Sequence, residues 1–224
     1  MASEETVSSR DAVHGFLRNP LTWIALAPLV ILPIALLFIR SNAPRGPRLP
    51  VMKDAPAFKL QSQRGETFAS DDLRGKVYIA NFIFTRCEVV CPITTAKMRD
   101  VQKRLGPDTP IQLVSFSVDP QYDTPPRLRK YAARFGADLR NWTFLRGTRP
   151  DMKRIVMKGF NIGMGIIGIK DDSNTDTTKI DQKDMVHGAK FVLVDKDGQI
   201  RGYYNLNTDD DIVQLVTHAK HLAN

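Results

Sequence analysis

Cysteine is almost missing from this chain, which has two in 224 residues. So few thiols exclude the repeated Cys/His spacing of zinc fingers. Histidine is scarce too, with four residues. Dense basic runs are absent: the formal charge is +8, but Lys and Arg are scattered from Lys53 to Lys220. With no basic arm and no aromatic RNP-like motif, the chain is not a nucleic-acid binder. A diffuse positive surface fits an acidic partner better, because opposite charge speeds encounter. The acidic stretch Asp171-Asp172-Ser173-Asn174-Thr175-Asp176 lacks the glycine and terminal glutamate of a calcium loop. There is no internal repeat.

What is present is concentrated at one place. The two cysteines stand four apart in Cys87-Glu88-Val89-Val90-Cys91-Pro92. The strand-like run Val77–Phe84 precedes them, and a helix-like run from Pro92 to Leu105 follows, stopped by Gly106. Four residues is about one helical turn, so both sulfurs can face one side. Such a pair can close a disulfide or clamp a soft metal ion. Pro92 is tolerated only in a first turn, which puts Cys91 there as well. A helix N-terminus carries positive potential, so a lowered thiol pKa is expected, with Arg86 adding to the effect and Glu88 opposing it.

Leu21 to Ile39 contains no charge. At about 1.5 Å per residue it is long enough for a hydrocarbon core of about 30 Å. Pro28 and Pro33 are tolerated in membrane helices. Its length exceeds the usual apolar core of a signal peptide, so the expectation is an uncleaved transmembrane anchor. The chain thus divides into a polar tail (1–20), the anchor (21–39), a Pro/Gly linker (40–51) and one domain (52–224). Arg40, Arg45, Arg48 and Lys53 outweigh Arg10 and Arg18, which by the positive-inside rule alone keeps the domain in the cytoplasm. Long domains, however, translocate regardless of flanking charge. Glu4 and Glu5 oppose a mitochondrial transit peptide.

Within the domain, strands alternate with helices. A short hairpin turns at Arg64-Gly65. A second central strand spans Ile111–Val118, and helices cover Pro125–Phe135 and Pro150–Gly159 around a strand at Asn141–Leu145. A hairpin turning at Asp195-Lys196-Asp197-Gly198 precedes a final helix, Asp209–Leu222. This order predicts an α/β fold with a central mixed sheet and helices on both faces. Gly159–Lys183 is a long interruption, of the kind that is functional or disordered.

One histidine stands out. His187 ends the long interruption just before a central strand. His14 lies in the tail, and His218 and His221 lie on the final helix, where solvation is their simplest reading. Two thiolates and an imidazole suit copper as Cu(I) or Cu(II); zinc accepts the same donors but in structural sites normally takes four protein ligands. Met185 is a loop residue with a soft sulfur.

The chain resembles the Sco/SenC family of thioredoxin-like copper chaperones. The resemblance covers about Ala55 to Ala223 and the anchor. It is carried by Phe84-Thr85-Arg86-Cys87, Cys91-Pro92, Ser117-Val118-Asp119-Pro120, Asp123-Thr124-Pro125, Leu145-Arg146-Gly147-Thr148, and His187 ahead of Phe191–Gly198. It implies a thioredoxin-like fold, copper ligands at Cys87, Cys91 and His187, an upstream copper donor, and a copper-accepting cytochrome c oxidase subunit as partner. It also implies a domain outside the membrane, in the periplasm at a bacterial inner membrane. The chain departs from the family where Glu88 and Val89 replace Pro and Asp, and where Val186 and Gly188 replace Asp and Ser around the histidine. Three functions follow: a copper-delivering assembly factor without catalytic turnover, a thiol–disulfide oxidoreductase using Cys87 and Cys91, or a copper or redox sensor. Disulfide exchange needs no His187, thioredoxin-type catalysts use CxxC rather than CxxxC, and a sensor would need an output domain.

Overall fold

The computed structural model describes residues 28–29, 31–34, 49–88, 90–162, 190–205 and 207–224. The chain divides into two compact units, residues 1–46 and 47–224. Of the expected anchor, Pro28, Leu29 and residues 31–34 are described, as helix. Among the described residues no helix is long and apolar enough to cross a membrane. The polar tail, most of the linker and residues 163–189 lie outside the described residues.

The second unit is built on an eight-stranded mixed sheet. Its strands are β1 (Lys53–Asp54), β2 (Lys59–Ser62), β3 (Thr67–Ala69), β4 (Tyr78–Ile83), β5 (Gln112–Ser117), β6 (Trp142–Arg146), β7 (Phe191–Val194) and β8 (Gln199–Tyr204). They lie in the order β1-β8-β7-β4-β5-β6-β2-β3. β4, β5 and β6 are parallel, and the other pairings are antiparallel. The helices are α1 (Val90–Leu105), α2 (Pro125–Arg134), α3 (Arg149–Lys153) with a π-helical continuation (Arg154–Gly159), and α4 (Asp209–Ala223).

Chain order explains which face each helix covers. The connections β4-α1-β5 and β5-α2-β6 step across the sheet in the same direction. Right-handed crossovers therefore put α1 and α2 on the same face. α4 joins them, and Met98, Val101, Leu128, Tyr131, Leu215 and Val216 pack together with Ile79, Ile83 and Leu113. The opposite face carries Ala80, Phe82, Val114 and Phe116, as the period-two alternation of strands requires. It is covered by Met152, Ile155, Val156 and Phe160. Helices thus lie on both faces, as expected, but all three long ones share one side.

The segment expected as one helix over Pro150–Gly159 changes winding at Arg154. Ile155 and Phe160 are both fully buried, and the Phe160 N–H donates to the Ile155 carbonyl at 2.8 Å. A spacing of five residues between two core side chains is met by a π turn, not an α turn. Gly147 follows β6 because a Cβ there would come within 2.5 Å of the Leu60 side chain. Thr148 then caps α3, its side-chain oxygen accepting from the Asp151 N–H.

α4 is fixed at both ends. Thr208 and Asp211 form a reciprocal capping box at its start. Near its end, Lys220 Nζ donates to the Arg104 carbonyl at 2.9 Å, at the C-terminus of α1. Between these ends the solvated reading of His218 fails: its Nδ1 lies 2.6 Å from the Tyr204 hydroxyl, and the ring is half-buried. Burial, then the charge of His221, hold the His218 pKa below its ordinary value. Folding therefore favours the neutral ring, and this share of stability is present above the ordinary histidine value and lost as pH falls through the lowered one. The thermal midpoint is expected to fall between pH 7 and pH 5, with a shallower slope in His218→Gln. Identical slopes in thermal unfolding series of the two proteins would sink this account.

Candidate metal centre

The site forms where parallel strands end. β4 and β5 run side by side, Ile83 opposite Ser117. The loops that leave them, beginning at Phe84 and at Val118, therefore emerge together. The carboxyl ends of parallel strands are the usual place for ligands in such sheets.

The cysteine loop closes on itself. The Cys87 N–H donates to the Phe84 carbonyl at 3.2 Å, making a turn. The Phe84 N–H donates to Cys91 Sγ at 3.4 Å, and the Cys91 N–H donates to Cys87 Sγ at 3.4 Å. Both sulfurs thus face the same stretch of backbone, brought there by the loop turn rather than by helical spacing, since Cys87 precedes the helix. They are thiols, not halves of a disulfide. α1 begins at Val90, two residues before the expected start, so Cys91 and Pro92 both occupy its first turn. Cys87 is half-buried, while Cys91 is 3% exposed.

The expected lowering of thiol pKa does not hold for Cys91. Its hydrogen bond with Cys87 and its burial push the pKa strongly upward. The helix N-terminus is outweighed because the thiolate would sit in an apolar pocket beside a second sulfur. Any metal bound at Cys91 must displace that proton.

Asp123, with no exposed surface, holds the loop in place. Its carboxylate accepts from the Thr85 N–H at 3.1 Å, from the Thr85 hydroxyl at 2.5 Å, and from the Ser117 hydroxyl at 2.5 Å. Burial raises its pKa against the lowering effect of these bonds. On the outer side, Arg86 pairs with Asp119 at 2.5 Å. Arg146 Nη2 donates to the Pro120 carbonyl at 2.6 Å. Thr85, Ser117 and the arginine contacts were not legible as site residues. All of them stand in segments that carry the family resemblance, but nothing in the sequence alone pairs them with Asp123, Asp119 or Pro120.

Of the expected ligands, the structure brings Cys87 and Cys91 together. His187 lies outside the described residues, as do Val89, Val186 and Gly188. Among the described residues, no group of three Cys, His, Asp or Glu side chains is placed to hold a metal ion. Glu88 is exposed. Two sulfurs on one turn suit a soft ion such as Cu(I), or two-electron exchange with a disulfide.

Comparison with known proteins agrees with this architecture. The SCO1 protein homolog of Bacillus subtilis is 34% identical over 178 residues, covering 77% of this chain and 86% of that protein. A protein of Stutzerimonas stutzeri named for copper binding is 28% identical over 170 residues, 75% of this chain and 77% of its own length. The structure of BsSco, a member of the Sco family of cytochrome c oxidase assembly proteins studied for a disulfide switch, superposes with a TM-score of 0.64. It is 30% identical and covers 78% of this chain and 96% of BsSco. The fold is thus the thioredoxin-like mixed α/β fold of the Sco structures. The SCO1/SenC family model matches residues 51–222, and the chain belongs to that family.

Proposed function

We propose that this protein binds one copper ion through Cys87, Cys91 and His187 and delivers it to the dinuclear copper site of a cytochrome c oxidase subunit, after receiving it from an upstream donor. The observation that carries the reading is the convergence of the Cys87 and Cys91 sulfurs on one turn at the end of β4, in a chain of the SCO1/SenC family. Copper is cargo here, held by soft donors and passed on by ligand exchange, so no catalytic turnover is required.

The topology supports His187 as the third ligand. β7 pairs antiparallel with β4, Val192 opposite Ala80, so its first residue lies at the cysteine end of β4. His187 precedes Lys190 by three residues in sequence, a tether of at most about 10 Å. The anchor at Leu21–Ile39 and a periplasmic domain belong to the same proposal, since an oxidase acceptor exposes its copper site on that side of a bacterial inner membrane.

A second reading has its own support. Cys87 is half-buried and Cys91 is buried against it, the arrangement of an attacking and a resolving thiol. The Cys87 thiolate would attack a partner disulfide, releasing one partner thiol. Cys91 would then displace the other, leaving a Cys87–Cys91 disulfide and a reduced partner. BsSco, with its disulfide switch, is a precedent within the family. Such a reaction would prepare an acceptor's cysteines before copper arrives.

Copper titration of the reduced protein is expected to saturate at about one ion, as one soft three-donor site implies. His187→Ala should lower affinity by more than the roughly 10–100-fold that loss of an outer-sphere partner costs, and should change the copper spectrum. Unchanged affinity and spectrum would refute the three-ligand site. A disulfide-reductase assay beside it separates the readings, because exchange should survive His187→Ala and vanish in Cys87→Ser.

Asp123 gives an independent check on preorganisation. Asp123→Ala strands the Thr85 and Ser117 donors in a buried setting. It should cost about 2–3 kcal/mol in chemical denaturation and weaken copper binding without removing a ligand. Full stability and affinity in this variant would show that the carboxylate does not position the loop.

A further inference from the structure

Beside Cys87 lies a feature that copper binding does not use. Tyr122 is a large aromatic side chain left exposed in the loop after β5. Two guanidiniums lie against its ring: Arg127, at 3.9 Å from the centroid, and Arg86, at 5.2 Å. The three come from the cysteine loop, the β5–α2 loop and the first turn of α2. We propose that Arg86, Tyr122 and Arg127 form a docking platform for an acidic segment of the copper-accepting protein, a role that rests on the delivery reading above.

Both guanidiniums are anchored through one nitrogen while their side chains stay exposed. Arg86 uses Nε on Asp119, at 2.5 Å. Arg127 uses Nη1 on the Tyr122 carbonyl, at 2.7 Å. The loop between them is pinned by Arg146 on the Pro120 carbonyl and by Asp123 on Thr85. A guanidinium carries five N–H donors in a rigid fork, and the natural partner of that fork is a carboxylate. Tyrosine and arginine held this way lose little side-chain entropy on binding, which is why they dominate interface energetics.

Charge points the same way. Asp119 answers one of the two guanidiniums, Asp123, next to Tyr122, is buried on Thr85 and Ser117, and Glu88 is exposed next to Cys87. The whole chain carries +8, so a negatively charged protein is steered toward it. An anionic membrane is the weaker candidate, because lipid recognition uses clusters of about four to eight basic residues. The placement supplies the purpose: Arg86 precedes Cys87 in the chain, so a protein seated on this platform is brought against the half-buried sulfur. Docking and transfer then share one loop.

The test uses the full-length protein and, as probe, the metal-free copper-accepting domain of the oxidase subunit from the same organism. Association is measured by calorimetry at low and high ionic strength for the wild type, Arg127→Glu, Arg127→Lys and Tyr122→Ala. Copper titrations of all four proteins run in parallel. Wild-type affinity should fall with salt. Arg127→Glu should weaken association about tenfold or more and flatten the salt dependence. Arg127→Lys should fall between, since it keeps the charge but loses the fork. Copper stoichiometry should be equal in all four. Wild-type association with the acceptor in Arg127→Glu and Tyr122→Ala overturns the platform while leaving copper binding intact. So does failure of the wild type to bind the acceptor. A variant that loses copper as well as the acceptor also overturns it, by showing that the patch acts through the cysteine loop. Loss of binding to anionic vesicles, with acceptor binding unchanged, assigns the patch to a membrane and overturns it too. A wild type that takes up no copper refutes the delivery reading instead, and the acceptor titration of the metal-free protein still scores the platform.

Discussion

Asp123 turns its carboxylate toward the ends of two adjacent strands. Thr85, just beyond β4, and Ser117, the last residue of β5, both donate to it. The strands already run in register, but register ends where the loops begin. Without a tie, two loops leaving a sheet edge are free to diverge. A buried carboxylate with three donors is a strong tie, because opening it exposes each donor unsatisfied in a low-dielectric setting. The raised pKa of Asp123 shows that burial is unfavourable for the charge. The carboxylate is kept where it constrains the cysteine loop, at some expense to stability.

Much of the fold is legible in the chain because its signals are local. Val77–Phe84 is apolar nearly throughout, as a strand covered on both faces must be. Pro125 and Pro150 mark helix starts, and Asp195–Gly198 marks a hairpin through the turn chemistry of Asp and Gly. What was not legible depends on contacts between segments far apart in sequence. The π turn at Arg154–Gly159 answers the spacing of Ile155 and Phe160 against the sheet, not a local propensity. The His218 bond to Tyr204 joins α4 to β8, and no periodicity on α4 forecasts it.

The site divides in the same way. The cysteine pair is a motif, and a motif can be read in one dimension. Its supports, Asp123, Ser117 and Asp119, are more than twenty-five residues away along the chain, and only the topology brings them near. The pKa expectation failed for a reason that is only partly tertiary. Helix position argues for a lowered thiol, whereas the hydrogen bond with Cys87 raises it from within the motif and the burial that adds to it is tertiary. Where the two conflict at Cys91, the hydrogen bond with Cys87 and then burial win over the single helix terminus.

The start of α1 ties the chemistry to the architecture. The first turn of a helix has N–H groups with no partner inside the helix. Pro92 removes one of them, and Cys91 directs its own to the sulfur of Cys87. That sulfur therefore acts as a cap for the helix while it is also the more accessible thiol of the pair. Any change at sulfur, whether a bound ion or a disulfide, alters the acceptor that the first turn relies on. A CxxC spacing would leave one residue fewer between the first sulfur and the second N–H. Cys87 lies before the helix, so the turn at Phe84–Cys87 brings its sulfur to the Cys91 N–H, and the capping bond and the approach of the two sulfurs follow from the same turn. The Cys87 sulfur is thus linked by hydrogen bonds through the Cys91 N–H to the start of α1, and its loop through Thr85 and Asp123 to the end of β5.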